Sequence, residues 1–174
     1  MPPLALLAIE IVASFVALGV LALTVGIPRL RAMPRHRAVV PLLWVHALRH
    51  APLALLAPGQ MDPGVSDAVA STIAWGDFTS FTFALLALVA LHLRGRRALS
   101  FVWLFSAVSS IDIALALAAG LGTGVYARSL GVGWYVLTLY VPVVCVAQAL
   151  VFWVLARRER SRPELSGARS GERT

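Results

Sequence analysis

Apolar residues run along this chain in long, nearly unbroken blocks rather than in the short alternations of a soluble fold. Five blocks can be marked off: about Leu4 to Ile27, stopped by Pro28; Val39 to Ala57, closed by Pro58 and Gly59; Ser66 to Leu93; Ser100 to Leu121; and Gly133 to Ala156. A helix needs about 20 predominantly apolar residues to cross the hydrocarbon of a bilayer, so each block predicts a transmembrane helix. The expected fold class is all-α: a polytopic membrane bundle of five helices forming one domain over residues 1–156. The remainder, 157–174, reads "RRERSRPELSGARSGERT", which is polar, lacks apolar periodicity and predicts a disordered tail. The opening "MPPLALLAIE" has no positive n-region, so the first block is expected to be a retained helix rather than a cleaved leader.

Composition agrees with the pattern. Of 174 residues 59% are hydrophobic and 13% charged, whereas a soluble domain averages about half and about a quarter. The net charge of +7 does not point to nucleic acid, because the arginines lie at the ends of apolar blocks with no aromatic-interleaved basic face. Their placement reads as topology instead. Arg29, Arg31, Arg35 and Arg37 fill the first connection, Arg94, Arg96 and Arg97 the third, and Arg157, Arg158 and Arg160 open the tail. The second connection, "PGQMDPGVSD", is acidic, and the fourth holds Arg128 alone. The positive-inside rule then sets the N-terminus outside and the C-terminus in the cytoplasm. Cys145 is the single cysteine, which excludes an intrachain disulfide and any multi-cysteine metal site. Five spans do not divide into equal halves, so an inverted-repeat transporter would need a dimer or an unpaired helix; a homo-oligomer therefore stays open.

Against this background one stretch stands out. "LLWVHALRHAPLALL", residues 42–56, carries His46, Arg49 and His50 inside a membrane block. Asp77 lies near the middle of the third block, Asp112 near the middle of the fourth, and Glu10 in the outer part of the first. One charge at the bilayer centre costs about 2.5–3.5 kcal/mol on insertion scales, so these groups are expected to face one another inside the bundle. Helical spacing supports this. Small and polar residues share stripes at Glu10, Ser14 and Ala17; at Ala70, Ala74, Asp77 and Ala84, with Ser80 beside them; at Ser109, Asp112 and Ala116; and at Tyr135, Thr138, Pro142 and Cys145. Such stripes are what close helix packing in lipid uses. On an α-helix His46 and His50 share a face, and Arg49 diverges by about a quarter turn.

Three chemistries fit the set. The first is acid–base work on a lipid-like hydrophobic molecule, an isomerase- or cyclase-type proton transfer, with Asp77 and Asp112 as donor and counter-ion and His46 or His50 returning the proton. Arg49, Glu10, Ser109 and Tyr135 would then line the substrate, as would Trp44 and Trp75, whose rings stabilise cations. Those tryptophans stand two residues from His46 and Asp77, however, which is the wrong helical face and favours anchoring. The second is proton-coupled transport through a chain of Asp, Glu and His. The third is a metal or haem on the His46–His50 pair, with an aspartate as third ligand; two histidines of one helix cannot be trans axial ligands of one haem. The plain structural alternative is that Arg49, paired with Asp77 or Asp112, only fastens helices together. No cofactor is implied, and the expected partners are membrane lipid and a hydrophobic small molecule.

The second and third blocks also carry a short pattern, an Arg-bearing helix, an outer loop with proline, then an aromatic–Gly–Asp helix, at Arg49, Pro63, Trp75, Gly76 and Asp77. In this they resemble small bacterial multi-span membrane proteins of no assigned activity. The resemblance implies a multi-pass protein of the bacterial cytoplasmic membrane and draws attention to Arg49 and Asp77. Gly76 beside Asp77 would let another helix approach closely.

Overall fold

The structure is a computed structural model describing residues 3–60, 66–95, 97–123, 130, 131 and 133–157. Pro63, Arg96, Arg128 and the tail beyond Arg157 lie outside the described residues. Among the described residues there is no strand, and five helices are long and apolar enough to cross a membrane, the mark of a membrane protein. We number them α1 (Leu4–Arg31), α2 (Arg35–His46, continued after a turn by a 3-10 segment, Ala51–Leu56), α3 (Asp67–His92), α4 (Ala98–Thr123) and α5 (Gly133–Ala156).

The most extensive contact is between α3 and α4; α2 packs on α3 and α5, and α4 touches α5. On α3 the stripe read from the sequence is buried in full: Ala70, Ala74, Asp77, Ser80 and Ala84, with Ala87 after it. Residues this small let the α3 and α4 backbones approach, which lipid-soluble helices need because apolar contact between them gains little over contact with acyl chains. Toward the arginine-rich end the interior turns apolar, built on Leu43, Ala84, Val102, Phe105, Val151 and Val154. Helix α1 is peripheral. It leans on α5, with Leu7 and Ile11 against Leu130, Trp134 and Leu137, and leaves Ala17 of its small-polar stripe exposed.

Proline shapes three of the five helices. In α1 a π-helical turn, Ala22–Gly26, precedes Pro28; in α5 another, Val136–Tyr140, precedes Pro142 at the same spacing. Each proline lacks the N–H that would reach the carbonyl four residues back and its ring crowds that carbonyl; widening the coil relieves the clash. The carbonyl four back belongs in both cases to a threonine, Thr24 or Thr138, whose hydroxyl donates one turn back, to Val20 O (2.8 Å) and Trp134 O (3.0 Å).

The arginine-rich end is clasped by a residue that the sequence placed with the tail. Arg157 Nη1 donates to Leu30 O (2.7 Å) and Nη2 to Met33 O (2.6 Å), while Arg35 donates to the Arg157 carbonyl. Carbonyls at the end of a helix have no partner in the helix itself, and the guanidinium supplies one. Arg31 and Arg157 also lie over the Trp153 ring, at 5.7 and 5.6 Å.

Phe105 is fully buried where α4 meets α2 and α5. In a soluble core Phe→Ala costs about 3–5 kcal/mol, part of it lost transfer from water. In lipid that part vanishes, so Phe105→Ala is expected to lower stability by roughly 2 kcal/mol, the cavity contribution alone. Unfolding in mixed micelles with rising SDS, followed by circular dichroism, measures it; a loss of soluble-core size would show that burial from water drives the packing.

Candidate functional site

The site begins where α2 stops being an α-helix. Pro52 cannot donate to the carbonyl of Leu48, and the chain tightens ahead of it: Leu48 N donates to Val45 O (3.2 Å), Arg49 N to His46 O (3.1 Å) and Ala51 N to Leu48 O (3.0 Å). These are three-residue closures. At three residues per turn, positions i and i+3 eclipse, so Arg49 comes under His46 and His50 swings away. The face arithmetic of an ideal α-helix, which pairs His46 with His50, fails here for that reason. Arg49 is 2% exposed and His46 fully buried, while His50 is on the outer surface.

Arg49 is the hub. Its Nε donates to Asp77 Oδ1 on α3 (2.6 Å), Nη1 to Ser109 Oγ on α4 (2.6 Å), and Nη2 to Asp112 Oδ2 on α4. Ser80 on α3 donates a further hydrogen bond to Asp112 Oδ2 (3.2 Å). The planar guanidinium thus spends separate N–H groups on two carboxylates from different helices, which a lysine could not do with fixed geometry. Gly76 makes this possible. A Cβ at residue 76 would overlap the Asp112 carboxylate, so the close approach foreseen for this glycine is that of Asp112. Formally the cluster sets one positive charge against two negative ones, inside a region where each uncompensated charge is costly.

Beside the cluster lies a cavity of ≈ 80 Å³, several times the ~10–15 Å³ that one water requires. Its walls are apolar, with Ile73 from α3, Ile113 and Leu117 from α4, and Leu137 and Val144 from α5; Arg49, Asp77 and Tyr140 supply the polar groups. The Tyr140 hydroxyl is buried close to the Arg49 guanidinium, which can only donate to it, and its own O–H finds no acceptor among the described residues. Cys145 also lines the cavity as a free thiol.

Of the residues singled out from the sequence, the fold brings together Arg49, Asp77, Asp112 and Ser109. His46 packs edge-on against Phe105 (ring centroids 4.8 Å apart), and neither of its ring nitrogens has a hydrogen-bond partner among the described residues. His50 lies edge-on to Phe81 (5.4 Å), its Nδ1 3.2 Å from Ala47 O. Neither histidine bonds a carboxylate among the described residues. Glu10 is bound elsewhere, accepting from Trp134 Nε1 (2.7 Å) and so joining α1 to α5. Trp44, Trp75 and Tyr135 are exposed on the outside of the bundle at 59, 55 and 66%, which agrees with the anchoring alternative for the two tryptophans. Tyr135 points away because the π turn that follows it shifts the register of α5; the same shift turns Tyr140 inward. Tyr140 was not singled out from the sequence, and the only signal for it is Pro142, which forces the wide turn. Among the described residues no three His, Cys, Asp or Glu side chains are grouped to hold a metal, so the His46–His50 metal reading finds no third ligand.

Breaking a buried ion pair by removing one partner typically costs about 3–5 kcal/mol, because the other charge is stranded. Arg49→Leu should therefore destabilise the bundle by about that much, and adding Asp77→Asn with Asp112→Asn should restore most of it. SDS-driven unfolding of the three proteins reads this; a single Arg49→Leu costing under about 1 kcal/mol would show that the cluster does not hold the helices together.

No curated protein and no solved structure matches the chain. Residues 6–156, which contain the Arg49 cluster and its cavity, match the domain of unknown function DUF8737, and the chain belongs to that family.

Proposed function

We propose that this is a multi-span protein of the bacterial cytoplasmic membrane, N-terminus outside, that binds a small, largely apolar, lipid-like molecule by its uncharged polar end. One observation carries the reading: the buried Tyr140 O–H, without an acceptor among the described residues, at the Arg49–Asp77 end of an otherwise apolar cavity. A buried hydroxyl without a partner costs about 1–3 kcal/mol, and a ligand hydroxyl or carbonyl would remove that cost. An anionic end fits poorly, because the one cation is already divided between two carboxylates. The walls, drawn from α3, α4 and α5, would take the hydrocarbon part.

Any proton chemistry on that molecule would fall to Asp77, the carboxylate that lines the cavity, with Asp112 balancing charge on the other side of Arg49. His46 and His50 do not touch the cavity, so the proton-return role considered for them has no geometric support. Proton-coupled transport loses support for the same reason. The orientation rests on Arg29, Arg31, Arg35, Arg37, Arg94, Arg97 and Arg157 gathering at the ends of helices that meet, with Asp67 at the opposite end of α3.

Two measurements test this. Protein purified in mild detergent should retain a neutral, mostly apolar molecule identifiable by mass spectrometry of the extract. Ala116→Phe, which fills the cavity from α4, should abolish retention, and Tyr140→Phe should weaken it roughly tenfold, one buried hydrogen bond of about 1.4 kcal/mol. Equal retention by all three proteins removes the proposal. For orientation, a fluorescent protein fused to the C-terminus should fluoresce and a C-terminal alkaline phosphatase should be inactive; the reverse pattern inverts the topology.

A further inference from the structure

A second concavity lies at the arginine-rich end, between the first turns of α2 and the last turns of α3, and shares no lining residue with the Arg49 cavity. It is an open groove of ≈ 970 Å³. Its rim carries His36 and Arg37 from α2, His92 from the end of α3 and Arg94 just after it; below them Trp44, Leu85 and Val89 form an apolar wall. We infer that this groove binds an anionic phospholipid, its phosphate between Arg37 and Arg94 and an acyl chain along Trp44, Leu85 and Val89.

The charge is one-sided. None of the groove's lining residues is acidic, and the four basic side chains are exposed without a hydrogen-bond or ion-pair partner among the described residues. Of their neighbours at the same end, Arg35 and Arg157 are spent on carbonyls and Arg31 on Trp153, while the exposed Arg29 and Arg97 do not line the groove. A positive-inside bias alone asks for arginines at this end of the molecule; it does not ask for two on different helices to line one apolar groove.

Backbone conformation points the same way. Arg94 has φ +52°, the left-handed region, although Gly95 follows it and could have taken that position. A side chain there is disfavoured by about 1–2 kcal/mol, and such outliers persist where a function or the surrounding structure holds them. The left-handed residue closes α3 and keeps the Arg94 side chain at the groove.

The dimensions suit a lipid rather than a free anion. Leu85 is nine residues from Arg94 and Trp44 eight from His36, so the wall runs roughly 12–14 Å below the rim at 1.5 Å per residue. Inorganic phosphate would have no use for it. The uncapped N-terminus of α2 adds the positive end of a helix dipole beside Arg37. The C-terminus of α3 contributes the opposite sign, which the full charge of Arg94 outweighs.

The test uses the full-length protein in detergent, titrated with phosphatidylglycerol or phosphatidylcholine and read by native mass spectrometry. One phosphatidylglycerol should be retained with at least tenfold preference. Arg37→Gln combined with Arg94→Gly should bring the preference to near parity, while Arg29→Gln combined with Arg31→Gln, equal in charge and at the same end, should leave it intact. Equal loss in both double variants would mean a diffuse field and overturn the site, and so would the absence of any preference in the native protein. Displacement of the lipid by 10 mM inorganic phosphate would overturn the lipid assignment in favour of a free-anion site. Arg94→Gly relieves the left-handed strain, so it should not lower the melting temperature; lipid loss in a protein that melts no earlier cannot be ascribed to misfolding.

Discussion

Arg49 binds Asp77 and Asp112 from two other helices in the interior of the bundle, where all three side chains are buried. Of the three groups only the guanidinium can satisfy two carboxylates at once, because its N–H donors leave the plane in fixed and separate directions. The helices that carry these side chains cannot drift apart without stranding a charge, a far larger cost than losing apolar contacts that lipid can replace. Within the bundle the α2–α3–α4 corner is therefore the fixed part, and much else can be read from it. Gly76 is bare because Asp112 occupies the space where its Cβ would be. Ser80 and Ser109 are polar because the carboxylate and the guanidinium have hydrogen-bonding capacity left over.

That corner is assembled by departures from α-helical geometry. The tightened turn before Pro52 brings Arg49 beneath His46, and the widened turn before Pro142 sends Tyr140 inward and Tyr135 out. A tighter coil advances each residue by more than the usual 100° and a wider coil by less, so both re-aim side chains without moving the helix axis. Each proline is placed where its missing N–H sets the local coil, and each local coil decides which polar group reaches the interior.

Fastening helices and forming a binding site are not competing accounts of this cluster. Asp112 faces the interior contact between α3 and α4, whereas Asp77 and Arg49 also border the cavity that Tyr140 closes. For the ligand proposed above, a rigid ion-paired wall would be a polar end held in place before it arrives, which would reduce what binding must spend on ordering. The groove at the arginine-rich end is of the other kind: open, one-signed and at a helix boundary, suited to a headgroup and not to an enclosed molecule.

From the sequence alone it followed that the chain is all-helical with five helices of membrane-spanning length, because apolar length is a local property that no packing arrangement can change. The α3 stripe was equally legible, since Ala70, Ala74, Asp77, Ser80 and Ala84 lie on a regular helix and 3.6 residues per turn predicts which way each one points. Arg49, Asp77 and Asp112 could be named as interior groups by the cost of exposing charge to lipid, and Ser109 by its place on the Asp112 stripe. Which of them meet was decided by tertiary structure. The same rule also named His46, His50 and Glu10, and only packing sent the first against Phe105, the second outward and the third to Trp134. Face arithmetic failed at residues 46–50 and 135–140, where proline changes the number of residues per turn and every later side chain rotates with it. The physical reason is one of range: hydrophobic length and period are written in neighbouring residues, whereas the partner of a buried charge lies 28 or 63 positions away and is chosen by how the helices stack.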